Sequence, residues 1–141
     1  MDEIRVVRKG ETSQETPQTS GVTRFAAIAR DTVGSERLWL GHTIAPAGMV
    51  SGVHHHGDSE TAVYVLRGTA TFFCGDGLRR RVDASAGDFF LVPPDCIHVE
   101  ANFGAEECEF IVARSTQDPI VVNLDEVDPP ADLIADARAG R

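Results

Sequence analysis

A chain of 141 residues has the length of one domain, and a hydrophobic content of 42% supports a single core rather than two. A net charge of −9, from 13 basic and 22 acidic residues, excludes the basic face that a phosphate backbone needs, so nucleic acid is not an expected partner. No apolar run approaches the roughly 20 residues of a membrane span, and the opening MDEIRVVRKGETSQ lacks the apolar core of a signal peptide. The expected location is cytoplasmic.

The chain begins with an apolar IRVV segment at 4–7, followed by KGETSQETPQTSG at 9–21, a polar stretch punctuated by Pro and Gly that reads as a solvated arm. Short strand candidates then run in series at 22–29, 37–45, 50–56, 61–66, 70–74, 79–82, 88–92, 97–103, 108–113 and 120–123. Most are rich in Val, Ile, Phe and Thr and are separated by Gly, Pro or Asp clusters, the pattern of an all-β sandwich or barrel. The closing DPPADLIADARAGR departs from it: Pro129 and Pro130 can open a helix in which Leu133, Ile134 and Ala137 form a narrow apolar stripe. That segment is expected to lie on the barrel or a partner as a short helix, or to fray as a tail. The organisation is thus an N-terminal strand and polar arm at 1–21, a barrel at 22–123, and a tail or short helix at 124–141.

Two stretches carry chemistry. In GMVSGVHHHGDSETAVYVLRG, from Gly48 to Gly68, strand alternation turns His54 and His56 toward one cavity and His55 away, with Glu60 shortly after. In GDFFLVPPDCIHVEAN, from Gly87 to Asn102, a Pro93-Pro94-Asp95 turn leads to His98 on another strand. Imidazoles at this spacing suit zinc, copper, iron or nickel, and an added carboxylate keeps manganese and iron(II) in play.

On these residues the chain resembles the cupin superfamily. The family's first motif is Gly, five residues, His-x-His, three or four residues, Glu, six residues, Gly, and it is matched at Gly48, His54, His56 and Gly68. Its second motif is matched at Gly87, Pro93, His98 and Asn102, with Asp95 in place of the usual glycine, a mild change because Asp tolerates turn conformations. Glu60 fits when counted forward from His56; counted back from Gly68, Thr61 takes its place.

The resemblance implies a cupin jelly-roll barrel, or double-stranded β-helix, over about Val22 to Thr116, with one divalent transition metal (Fe, Mn, Zn, Ni or Cu). His54, His56 and His98 hold it, joined by Glu60 on the forward count. On the backward count three neutral imidazoles serve alone and Glu60 is left for proton transfer. Cupin ligands leave coordination positions open for water, substrate or dioxygen. The expected function is therefore a metal-dependent enzyme acting on a small, apolar or aromatic organic substrate, with oxygenation ahead of isomerisation, cyclisation or decarboxylation. A non-catalytic ligand-binding or metal-binding module is the alternative, since folds do not dictate function. A homodimer is expected as well, because open sheet edges are usually covered and the IRVV segment is a candidate to add onto a neighbour's sheet.

His42 shares parity with Leu38, Leu40 and Ile44, apolar residues expected to look inward, and would be either a buried, hydrogen-bonded histidine or a substrate-facing acid/base group. Cys74, Cys96 and Cys108 are odd in number and irregular in spacing, so they are expected to be reduced; Cys96 either packs or lines the site. The pairs Phe72-Phe73 and Phe89-Phe90 each put one ring on either face of a strand, and an apolar pocket lined by inward rings is expected to open near Cys96 and His42. Arg79, Arg80 and Arg81 read as a solvated hairpin face, with a carboxylate-binding arginine as the exception. Tyr64 reads as strand packing.

Overall fold

A computed structural model describes residues 3–117 and 121–141, and the predicted succession of strands is present, though the runs expected at 50–56 and 97–103 keep regular strand form only at His54–His55 and Val99–Ala101. The strands are β1 (Thr23–Ile28), β2 (Trp39–Ala45), β3 (His54–His55), β4 (Thr61–Arg67), β5 (Thr69–Cys74), β6 (Arg80–Ser85), β7 (Phe89–Val92), β8 (Val99–Ala101), β9 (Cys108–Arg114) and β10 (Val122–Asn123). Residue 120, where the last strand was expected to start, lies outside the described residues. A four-residue helix, α1 (Arg30–Val33), and a single 3-10 turn at Asp76–Leu78 were not anticipated.

One sheet has the order β1-β2-β9-β4-β7, all antiparallel. Opposite it lie β6-β5-β8 and the pair β10-β3. Backbone bonds at His54↔His98 and Val50↔Ala101 join these two into one layer. The result is a two-layer, all-β barrel of the jelly-roll kind, as expected.

Alternation decides what faces the interior. On β2, Trp39, Gly41, Thr43 and Ala45 are buried while the residues between them are more exposed; on β9 the buried set is Cys108, Phe110, Val112 and Arg114; on β4 it is Thr61, Val63 and Val65. With Ala26, Ala70, Phe72 and Met49 their apolar members form one core. Strand β5 is buried on both faces because Phe72 points into this core, whereas Phe73 points out into a second cluster with Val53, Leu78, Val99 and Ala137.

The second cluster is where the C-terminal helix α2 (Ala131–Arg138) docks. Its expected stripe of Leu133, Ile134 and Ala137 is the face that packs. Arg79 reaches across to Asp132 through two 2.7 Å hydrogen bonds, so this arginine ties down the helix. Both partners are exposed, and such a pair contributes little beyond orientation.

The arm is largely exposed, and hydrogen bonds tie it to the barrel. Ser13 exchanges two backbone hydrogen bonds with Ala26, and the Gln18 amide donates to the Gln14, Thr16 and Arg24 carbonyls while accepting from the Arg24 N–H. Polar groups of the arm thus satisfy one another and the barrel backbone, while most of its residues stay exposed to solvent. Residues 3–8 form no strand, and Ile4 stays exposed, so the expected N-terminal strand is absent from the single chain.

The outer face of the five-stranded sheet is unusually apolar. Leu38, Leu40, Leu66, Phe89 and Leu91 are all exposed there, Phe89 at 79%. Among the described residues no helix is long and apolar enough to cross a membrane.

Candidate metal centre

The two motifs meet through backbone. His54 N–H donates to the His98 carbonyl at 3.0 Å and His98 N–H to the His54 carbonyl at 2.9 Å, so the two histidines sit directly opposite each other on neighbouring strands. This reciprocal pair brings their side chains close, with ring centroids 4.4 Å apart; His56 completes the group at 5.1 Å from His54 and 5.2 Å from His98. The donor nitrogens all lie within 4.8 Å of one another, so a common point is no more than about 2.8 Å from each, close to the ~2.1 Å of a metal–nitrogen bond.

Tautomers are set from behind. His54 Nδ1 lies 3.0 Å from the Gly52 carbonyl and His98 Nδ1 lies 2.8 Å from the Cys96 carbonyl. A carbonyl only accepts, so both Nδ1 atoms carry the proton and both Nε2 lone pairs are free for an ion. His54 Nε2 is buried without a hydrogen-bond partner, which is the signature of a ligand atom. Burial, with the neighbouring His54 next, pushes His98 down to about 4 against the pull of its bond to the Cys96 carbonyl, so the ring is neutral near pH 7, as ligation requires. By all these observations the three histidines fit a divalent ion.

Glu60 does not join them. It is exposed, its backbone N–H is held by Ser115 Oγ at 2.9 Å, and the next residue, Thr61, is the one buried inside the barrel. The count back from Gly68 is the one the structure follows, because β4 is a regular strand whose alternation runs unbroken from Thr61 to Val65, while the turn after His56 has no such period. Glu60→Ala is therefore expected to leave metal content unchanged within about twofold; elemental analysis showing a drop beyond that would return Glu60 to the ligand set.

His42 is also displaced from its expected role. It faces outward, stacked on Phe25 with centroids 4.5 Å apart and 3.4 Å from a Glu109 carboxylate oxygen, so the proposed acid/base duty inside the barrel has no geometric basis. His55 faces away from the centre as expected and accepts the Gly57 N–H at 3.0 Å. Tyr64 packs on Phe89. Asn102 is structural: its amide donates to the Ala45 and Glu106 carbonyls and accepts from Gly104 N–H, closing the turn after β8.

Three interior residues escaped the sequence reading. Arg24, Glu100 and Arg114 are all buried and line, with Thr43, Thr61, His56 and His98, a cavity of about 20 Å³. Parity holds the missed signal: Arg114 ends the inward series Cys108, Phe110, Val112, and Arg24 stands two residues before inward Ala26.

An adjoining pocket of about 100 Å³ is lined by Phe72, Phe90, Val92, Pro93, Cys96 and His98, among others. The expected apolar pocket thus opens near Cys96, though not near His42. Burial, with Cys74 behind it, raises the Cys96 thiol, so it lines the pocket as a neutral group. A larger cleft of about 440 Å³ lies between the arm and Trp39 and has no histidine in its lining, so size alone does not locate the chemistry.

The model of the cupin domain matches residues 42–114, just over half of the chain. The protein belongs to the cupin family. Among solved structures it is similar to the polyketide cyclase RemF from Streptomyces resistomycificus, at 20% identity and TM-score 0.70, covering 86% of each chain. It is also similar to an uncharacterised conserved protein with a double-stranded β-helix domain from Klebsiella pneumoniae, at 19% identity and TM-score 0.64 over 86% of this chain and 97% of that one. Bacillus subtilis oxalate decarboxylase, with its Mn(II) centres, matches at 20% identity and TM-score 0.68 over 87% of this chain but only 34% of its own. At such identities the likeness establishes the fold alone. No curated protein sequence is significantly similar to the chain.

Proposed function

We propose that this protein is a metal-dependent cupin enzyme that transforms a small organic substrate, with oxygenation as the leading reaction. The observation that carries the reading is the set of three buried imidazoles, one with an unpartnered Nε2, beside a small cavity that shares Phe72, Phe90, Val92 and His98 with an apolar pocket. A divalent ion held by His54, His56 and His98 supplies a polarising centre with positions left for other ligands. The chain's own contribution is to fix the imidazole tautomers, exclude water with Phe72 and Phe90, and present Arg24, Arg114 and Glu100 to whatever enters. Among the described residues no carboxylate shares the histidine cluster, so proton transfer in the cavity falls to Glu100, not to Glu60.

Non-redox cyclisation or decarboxylation is the second reading, in line with the activities named for two of the structural neighbours. A binding module is the third; it would have no use for open positions on the ion. Elemental analysis of protein purified without chelators, followed by a substrate screen for oxygen uptake and product formation against His56→Ala, separates them. Iron or copper with oxygen uptake supports oxygenation, and zinc or manganese with product but no uptake supports the non-redox class. No difference between the two proteins on any substrate removes the enzyme reading.

The homodimer is carried forward with a different seat. The apolar outer face of the five-stranded sheet would pair with its copy across a two-fold axis, burying Leu40, Leu66, Phe89 and Leu91 together. Light scattering is expected to give twice the 15.2 kDa chain mass, and Phe89→Asp to return the protein to monomer. A wild-type mass of one chain at micromolar concentration would end this proposal.

A further inference from the structure

The interior holds more positive charge than it can satisfy. Arg24 is 3% exposed and Arg114 is 2% exposed, and both line the cavity beside His56 and His98. Arg24 spends Nη1 on the Pro17 carbonyl at 2.7 Å and Nη2 on Thr19 Oγ1 at 3.0 Å, which anchors it to the arm and leaves Nε without a partner. Arg114 lies over the Trp39 ring, 5.6 Å from its centroid, with Nε and Nη1 both unpartnered. Thr43 Oγ1 and Thr61 Oγ1 are buried and unpartnered as well. Register explains the grouping: Arg24 is paired with Thr43 across β1 and β2, and Thr61 with Arg114 across β4 and β9.

Native interiors rarely leave one such group unsatisfied, and here five polar atoms that line one cavity are orphaned together. Charge sharpens the point. By formal charge the two arginines outweigh Glu100 by one, and a divalent ion at the histidines would add to that excess. A buried charge without a counter-charge is strongly unfavourable. A neutral ligand would fill the donors and leave the charge, and a cation would add to it; an oxyanion answers both.

We propose that Arg24 and Arg114, with Thr43 and Thr61, receive the carboxylate of a short organic acid, whose remaining body extends past Phe72 and Phe90 toward Cys96. This rests on the metal-enzyme reading above and narrows its substrate from an apolar or aromatic compound to an anionic one. Dimensions limit the acid: the deep cavity of about 20 Å³ takes little more than a head group, and the adjoining apolar pocket of about 100 Å³ takes a compact, mostly hydrocarbon body. Guanidinium suits this duty because it stays charged when buried and offers several donors to a planar carboxylate. Burial, then Arg24, pushes Arg114 down to about 9 against the pull of Glu100, so it remains a cation near neutral pH.

Calorimetric titration of the metal-loaded protein with acetate, propionate, benzoate and cinnamate, each against its neutral amide, tests the proposal. At least one acid is expected to bind tenfold or more tightly than its amide, and Arg114→Gln to remove that preference while elemental analysis finds the ion content unchanged. Equal affinity of every acid and its amide, or no binding of either, overturns the proposal on wild-type protein without recourse to a variant. Should Arg114→Gln fail to fold, Thr61→Val serves in its place, with a smaller loss expected and an unchanged preference counting against the site. Failure of the metal reading looks different: a protein that takes up no ion yet still prefers acids to amides keeps the arginine receptor and loses the metal centre.

Discussion

His54→Ala is expected to abolish stoichiometric metal uptake, weakening affinity by at least about 100-fold. Loss of an outer partner of a metal ligand already costs 10- to 100-fold, and His54 would be a ligand itself. It is fully buried, its ring is held from behind by the Gly52 carbonyl, and its Nε2 has no other partner, so nothing nearby takes its place. The effect should also appear in thermal melts. An ion present at a hundredfold excess over its dissociation constant stabilises by about 2.7 kcal/mol, roughly 10 °C for a domain of this size. That increment should be seen when metal is added to the wild-type protein and be absent from the variant. One ion per chain in purified His54→Ala would remove the histidine cluster from consideration as the centre.

Gly41→Ala should be the most damaging single methyl in the barrel. A Cβ at this position would lie 2.1 Å from the Phe25 carbonyl oxygen and 2.6 Å from the Trp39 ring. The first contact is with backbone, which cannot rotate away, so β1 would have to separate from β2 at the irregular pairing between Ala26 and Ile28. The expected loss is about 3 kcal/mol, comparable to severe overpacking, seen as a drop of roughly 10 °C in melting temperature. Because β1 carries Arg24 opposite Thr43, the surviving folded protein should also discriminate acids from amides less well. A melting temperature within about 2 °C of wild type would show that the strands yield more easily than their spacing implies.

Much of the barrel was legible in the chain. Alternating short apolar runs between Gly, Pro and Asp clusters define strands locally, and the stripe of Leu133, Ile134 and Ala137 defines a docked helix by its own periodicity. The histidine centre was legible for a related reason: His54 and His56 are linked by strand alternation, and His98 stands in a second motif whose spacing resembles that of a known family. These are short-range regularities, and the backbone pairing of His54 with His98 then brings them together.

What the sequence left open were questions of phase, and only the assembled sheets answer those. Strand β2 is apolar on both faces, Trp39, Gly41 and Ala45 on one and Leu40 and Ile44 on the other, so hydrophobicity could not say which looked inward. The neighbours β1 and β9 turn Trp39 into the core, and His42 goes outside with Leu40. Glu60 and Thr61 posed the same problem across an aperiodic turn, which β4 resolves by pairing Thr61 with Arg114. Arg24, Glu100 and Arg114 were hidden because a charged residue at an inward position reads, in isolation, as the end of a strand. Their burial is decided by partners that local alternation does not reveal: Pro17 and Thr19 of the preceding arm around Arg24, and Trp39, on another strand, beneath Arg114. Local alternation depends on neighbours along the chain and is written in the sequence; which face becomes the interior depends on register between strands tens of residues apart, and that exists only once they have paired.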